Sequence, residues 1–274
     1  MKKMYHFFSV YKEAFVHALD GMQIKYKTMP PRHMLFDLAD PSDQTLARIK
    51  EFRPVITKWL EFTEKERKQA NYFVMRSKNQ SVATLDDEPG CNYYEYICHK
   101  AKDGTLKRHT TRQIAPAVID REPSLKTKTC FWHNDTGWQD LYTKNIVREL
   151  VAKSDLQGVR FDPVYGKSGQ QKQNIFQVTS SNILPKDAIQ FGHGERTIVC
   201  EDCGYTQYFL SGHDQLHIIP SKIPIKSDLY VTDFIFGEGL AHPLFIVSQA
   251  FYTFVKDNHL SFGLIFEPIV EVNL

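Results

Sequence analysis

The sequence predicts an α+β fold, a sheet with helices packed on one face, and three observations point to it. The segment Leu141–Val164 recurs without a gap at Ile246–Ile269, 105 residues later, placing Gly158 on Gly263, Phe161 on Phe266, Asp162 on Glu267 and Pro163 on Pro268. Each copy carries a helical apolar stripe (Ile146, Val147, Leu150; Phe251, Phe254, Val255), then a Gly, a short strand and an acid-Pro pair. A strand–helix–strand unit used twice implies helices lying on one face of a sheet. Finally, 42% hydrophobic and 24% charged residues, with 19 Phe and 13 Tyr, form a globular composition rich in the rings that suit sheet faces and interfaces.

The elements follow in order. Met4–Tyr11 alternates and predicts a strand, and Phe15, Val16 and Leu19 then take helical spacing until Gly21. Met29-Pro30-Pro31-Arg32 predicts a loop. Asp40-Pro41 predicts a helix start, with Asp40 as N-cap and Pro41 at the first helical position, followed by Leu46, Ile49 and Phe52. Pro54 ends or kinks that helix. Val55, Ile56, Trp59 and Leu60 then read as a second apolar helical stripe, with Thr63–Gln69 its exposed end. Tyr72–Arg76 and Tyr93–Cys98 predict strands, 86–90 a turn, and 102–105 a hairpin tip. In the C-terminal half, Asn174–Val178, Asp228–Phe236 and Leu244–Val247 predict further strands, and Ser248 caps the helix after the last. Gly158 and Gly263 are expected to take the left-handed turn at the C-terminus of their helices, and the acid-Pro pair ends the strand or lies on an edge. The irregular basic stretch from Pro116 to Lys128 divides a mixed α+β region, 1–128, from a repeat-bearing domain, 129–274.

The net charge of +2 is uninformative, but its distribution is uneven. His99–Lys128 is basic, and the stretch from Leu229 onward carries Asp233, Glu238, Asp257, Glu267 and Glu271 against Lys256 alone. Such halves are either solvated faces or a surface that steers an oppositely charged partner. The N-terminus reads as a poor signal peptide, no run approaches the roughly 18 apolar residues of a membrane span, and five cysteines suit a reducing compartment, so the expectation is a cytoplasmic protein with no membrane partner.

Cys200-Glu-Asp-Cys203-Gly204 has the shape of a zinc knuckle, two thiolates in reach of one ion with a Gly allowing the tight turn. Two completions are available: His213 and His217 locally, or Cys130 and His133 elsewhere. Alternatively, Cys200 and Cys203 are reduced, half-buried small residues, so the expected cofactor is none or a structural zinc. The spacer of nine before His213 is too short for a DNA-reading finger, and nucleic acid is not an expected partner. Phe191-Gly-His-Gly194 reads as a turn, Gly237-Glu-Gly239 lacks a nucleotide loop's third Gly, and Cys98 and His99 point to opposite faces of a strand. No catalytic constellation emerges. Trp132 and Trp138 with His133, Asn134 and Asp135 form an aromatic-polar cluster that serves as an interface hot spot if exposed.

Trp138, the Leu141–Phe161 unit, Cys200–Gly204, Ile223-Pro224, Asp228-Leu229, Asp233-Phe234 and Leu244–Val270 occur in an order that resembles the bacterial double-CXXCG motif proteins and, more loosely, the immunity proteins of polymorphic toxin systems. The resemblance covers roughly residues 136–272, and the family's first CXXCG finds no match near the N-terminus. It implies a non-catalytic bacterial protein that binds a cognate toxin domain and occludes its active site. The acidic quarter (Asp233, Glu238) with Trp132 and Trp138 is the expected contact. The alternative is a zinc-binding module or metal-dependent enzyme built on Cys200 and Cys203.

Overall fold

A computed structural model describes the chain apart from residues 31, 78–80, 83–93, 101–105, 125, 135–139, 192–195, 200–205, 210–214, 235–242 and 274. It is α+β and forms two compact units. One contains Met1–Glu66, and the other contains Arg67–Leu210 and Leu216–Leu274. The sequence placed a boundary at 128, whereas the compact units part at Glu66/Arg67, because the strand at Tyr72–Ser77 pairs with strands near the C-terminal end.

The first unit runs β1 (Lys2–Val10), α1 (Glu13–Gly21), β2 (Lys27–Met29), β3 (His33–Ala39), α2 (Asp43–Lys50) and β4 (Val55–Glu61). Its sheet order is β2-β3-β1-β4 with every pairing antiparallel, the ferredoxin-like βαββαβ arrangement of two split βαβ units. Phe7, Met34 and Phe36 point to one face and bury against Phe15 and Leu19 of α1 and Leu46 and Ile49 of α2. Two expectations are corrected here. The cap of α2 is Ser42, whose Oγ accepts the Thr45 N–H at 3.1 Å. Asp40 instead adopts φ 45° and accepts the Lys3 N–H at 2.8 Å. Val55–Leu60 is a strand, not a helix. The helix after it, α3 (Glu64–Gln69), is separate and begins with a capping box, in which Glu66 N–H donates to Thr63 Oγ1 at 3.2 Å and Thr63 N–H to Glu66 Oε2 at 2.7 Å.

The second unit contains β5 (Tyr72–Ser77), β6 (Ser81–Val82), β7 (Tyr94–Lys100), β8 (Leu106–Gln113), β9 (Val118–Ile119), β10 (Phe131–Asn134), β11 (Leu141–Lys144), α4 (Asn145–Val151) and β12 (Val159–Gly166). It continues with β13 (Gln171–Ser180), β14 (Ile183–Leu184), β15 (Ile189–Phe191), β16 (Arg196–Val199), β17 (Thr206–Phe209), β18 (Leu216–Ile218), β19 (Leu229–Thr232), β20 (Phe245–Ser248), α5 (Gln249–Asp257) and β21 (Leu264–Glu271). One sheet is ordered β6-β10-β11-β13-β12-β9 and the other β14-β19-β20-β5-β21-β18-β15. The first six strands of the second sheet repeat the first sheet strand for strand. Both sheets have a parallel outer pair at each of these ends and three antiparallel pairs between. The duplication is therefore wider than the sequence repeat. Moreover, β5 lies in the middle of the later copy's sheet and β13 in the middle of the earlier copy's, so the copies exchange their central strands.

The register also corrects the gapless alignment. Trp132 pairs with Tyr142 as Tyr230 pairs with Ile246, and the buried helix residues Val147 and Val151 correspond to Phe251 and Val255, 104 residues on. The 105-residue offset holds only from Gly158 (φ 78°) and Gly263 (φ 81°) onward, because one extra residue precedes Gly263. Ile146, matched by sequence to buried Phe251, is exposed. Pro163 and Pro268 lie inside their strands rather than ending them. The outer neighbour joins only two residues later, at Tyr165 and Val270, so each proline occupies a local edge that needs no N–H.

One core draws Phe131, Leu141 and Val178 from the first sheet, Phe73, Phe245 and Phe266 from the second, and the buried sides of α4 and α5. The outer faces differ. Val74, Leu244 and Ile246 belong to an apolar cluster, whereas their counterparts Gln177, Asp140 and Tyr142 are polar and hydrogen-bonded. The Tyr142 hydroxyl donates to Asp140 Oδ2 and Gln177 Nε2 to Oδ1, both at 2.9 Å, and Gln177 also exchanges amide hydrogen bonds with Gln113.

Candidate partner-binding face

Only some of the residues singled out by sequence fall among the described ones. Cys200, Cys203, His213, Glu238 and Trp138 lie outside the described residues. Val199 and Thr206, on either side of the knuckle sequence, pair across β16 and β17. His217 lies on β18 between buried Leu216 and Ile218. Cys130 and His133 lie on either side of Phe131 and Trp132 at the start of β10. Cys130 joins the shared core with its Sγ toward the Lys128 carbonyl, and burial pushes its thiol up, with Lys144 opposing less strongly, while His133 is on β10 beyond it. Among the described residues no cluster of three or more His, Cys, Asp or Glu is placed to hold a metal, and no helix is long and apolar enough to cross a membrane.

Trp132 is corrected as an exposed anchor. It is 3% exposed, packed with Tyr142, Ile175 and Ile119, with Lys144 Nζ 5.8 Å from its ring centre. A tryptophan this enclosed supports the sheet and cannot insert into a partner. The described acids of the C-terminal quarter belong to different elements. Glu267 is ion-paired with Arg76 across β21 and β5, Asp257 ends α5, and Asp233 follows β19, where burial, with Asp187 nearby, holds its carboxyl above the usual range.

The face that sequence reasoning missed belongs to the first unit. Alternation along β1 sends Phe7 inward, so Met4, His6, Phe8 and Val10 lie on the side away from α1 and α2. Strand register then builds rows across this bare side: Met29–His33–Val10, Lys27–Leu35–Phe8–Val55, Asp37–His6, and Ala39–Met4–Trp59. Val55 is 65% exposed, Val10 53% and Met29 48%, and Phe8 stacks on His33 with ring centres 4.9 Å apart. Exposed apolar side chains set in adjacent rows on one face of a sheet mark an interaction surface more than scattered ones do. The signal was present in Val10, Phe8 and Val55, apolar residues at positions that face solvent once Phe7 and Ile56 face the core.

His6 and Asp37 lie opposite one another on β1 and β3. His6 Nδ1 donates to Asp37 Oδ1 at 2.6 Å, since a carboxylate can only accept, and the ring tilts toward Trp59 6.5 Å away. Beside this pair Lys25, Tyr26, Lys27 and Leu35 line a recess of about 280 Å³. The arrangement suits recognition, offering rigid apolar rows with one polar recess at their edge. No family model and no curated protein matches the chain.

Proposed function

We propose that this chain is an immunity-type protein that neutralises a cognate bacterial toxin domain by binding it and occluding its active site, using the bare sheet face of its N-terminal unit. The observation that carries the reading is the row Lys27–Leu35–Phe8–Val55 with its neighbour Met29–His33–Val10, a sheet surface on which Met29, Val10, Phe8 and Val55 are exposed side by side. The toxin assignment rests on the resemblance in the other unit, and the surface assignment on exposure and register. Binding of this kind needs shape and complementary charge rather than chemistry, and a few central apolar anchors supply most of its energy.

Co-expression with the toxin encoded beside its gene, followed by purification of a one-to-one complex, tests the reading. Val10→Asp and Val55→Asp, both on exposed sites, leave folding intact and weaken the complex about 100-fold or more. Failure to form a complex, or a complex indifferent to both substitutions, rejects it.

A further inference from the structure

We infer that the partner seats an acidic side chain in the recess at His6, Lys25 and Lys27. The inference rests on the reading that the bare face binds a protein and adds the chemistry of one contact. Lys27 is in the same row as Leu35 and Phe8, and His6 is in the next, so the recess is continuous with the apolar rows. Asp37 takes the Nδ1 proton of His6 at 2.6 Å and thereby fixes the ring, leaving Nε2 on its opposite edge. Among the described residues, Asp37 is the one carboxylate lining the recess, against two lysines and the imidazole it holds. Leu35 forms an apolar boundary that strengthens a charge pair by excluding part of the water. About 280 Å³ accommodates a Glu or Asp side chain together with the backbone that presents it. A carboxylate from a protein fits better than a phosphate of a nucleic acid strand. The flanking rows end in Val10, Met29 and Val55, which match an apolar protein surface.

The full chain, ¹⁵N-labelled, is titrated separately with decaglutamate, inorganic phosphate and a ten-residue oligothymidylate. Decaglutamate produces saturable shifts centred on the amides of His6, Tyr26 and Lys27. The Lys25→Glu/Lys27→Glu variant weakens its binding at least tenfold, Lys25→Gln/Lys27→Gln weakens it less, and added salt weakens it for the parent chain. Absence of localised shifts, equal response in the charge-reversed variant, or tighter binding of phosphate or oligothymidylate overturns the inference. A toxin complex that Val55→Asp breaks, in a protein that ignores decaglutamate, sinks the recess and leaves the bare-face reading standing. The reverse pattern sinks the bare-face reading.

Discussion

Asp228 and Ser248 join the two copies of the duplicated unit. The Ser248 hydroxyl donates to Asp228 Oδ1 at 2.5 Å, while Oδ2 accepts the Gln157 N–H of the earlier copy at 2.7 Å. Ser248 Oγ in turn accepts the Phe251 N–H at 3.1 Å and caps α5. One carboxylate thus orients a helix cap in one copy and pins the turn before Gly158 in the other. Asp228→Ala removes both acceptors and costs about 2–3 kcal/mol, whereas Ser248→Ala loses the cap alone and costs about 1 kcal/mol. Urea denaturation of both single variants and the double variant checks this, and the double costs less than the sum because the residues share one hydrogen bond.

Gly158 and Gly263 share a left-handed conformation, and Gly158 is in addition closely approached by its neighbours. A Cβ on Gly158 would lie 1.9 Å from Ser227 Oγ and 2.6 Å from Asn182 Nδ2, and Ser227 Oγ is already committed to the Gln157 and Leu229 carbonyls. Gly158→Ala therefore adds a clash to left-handed strain and costs about 3 kcal/mol or more, and Gly263→Ala costs about 1–2 kcal/mol for the strain. Thermal unfolding of the two variants side by side gives the larger loss of Tm to Gly158→Ala.

Local chemistry was legible in the sequence and long-range pairing was not. The cap of α5 at Ser248 was legible because it acts within a turn of itself, and so was the left-handed φ of Gly158 and Gly263. Both glycines, however, stand just before β12 and β21 rather than at a helix C-terminus, and after α5 the left-handed position falls to His259 (φ 56°). The central position of β5 depends on Met75 pairing with both Phe245 and Phe266, which no local pattern encodes. The strand at Val55–Glu61 was mistaken for a helix because Val55, Ile56, Trp59 and Leu60 also satisfy helical spacing, an ambiguity inherent in a strand apolar on both faces. That same two-sided character makes the bare face, so the error and the missed site have one cause.

The polar cluster of the first sheet has an internal control in the second. Asp140, Tyr142 and Gln177 occupy the places of Leu244, Ile246 and Val74. Asp140→Leu alone takes the acceptor from the Tyr142 hydroxyl and the Gln177 amide and costs about 2–4 kcal/mol. Adding Tyr142→Ile and Gln177→Val removes the stranded donors, so the triple variant is more stable than the three single losses combined predict. Chemical denaturation of the four variants decides it. Strict additivity would mean that the cluster does not act as one network.

Cys130 occupies the register position that Asp228 occupies in the later copy, since its carbonyl accepts the Lys144 N–H as the Asp228 carbonyl accepts the Ser248 N–H. Its side chain does different work, filling the shared core at 8% exposure. Burial pushes the thiol above its usual range, so the reactive thiolate is depleted at neutral pH. Iodoacetamide at pH 8 therefore modifies Cys130 at least tenfold more slowly in the native chain than in urea, as peptide mass spectrometry would report. The sign of the pH effect follows from the same shift. A thiol whose folded pKa is raised contributes stability below its unfolded pKa and loses that contribution as pH rises through the folded value. Cys130→Ala removes this alkaline sensitivity and leaves a small cavity costing about 1 kcal/mol. Rapid native alkylation of Cys130 would show that the core around α4 opens far more readily than its packing implies.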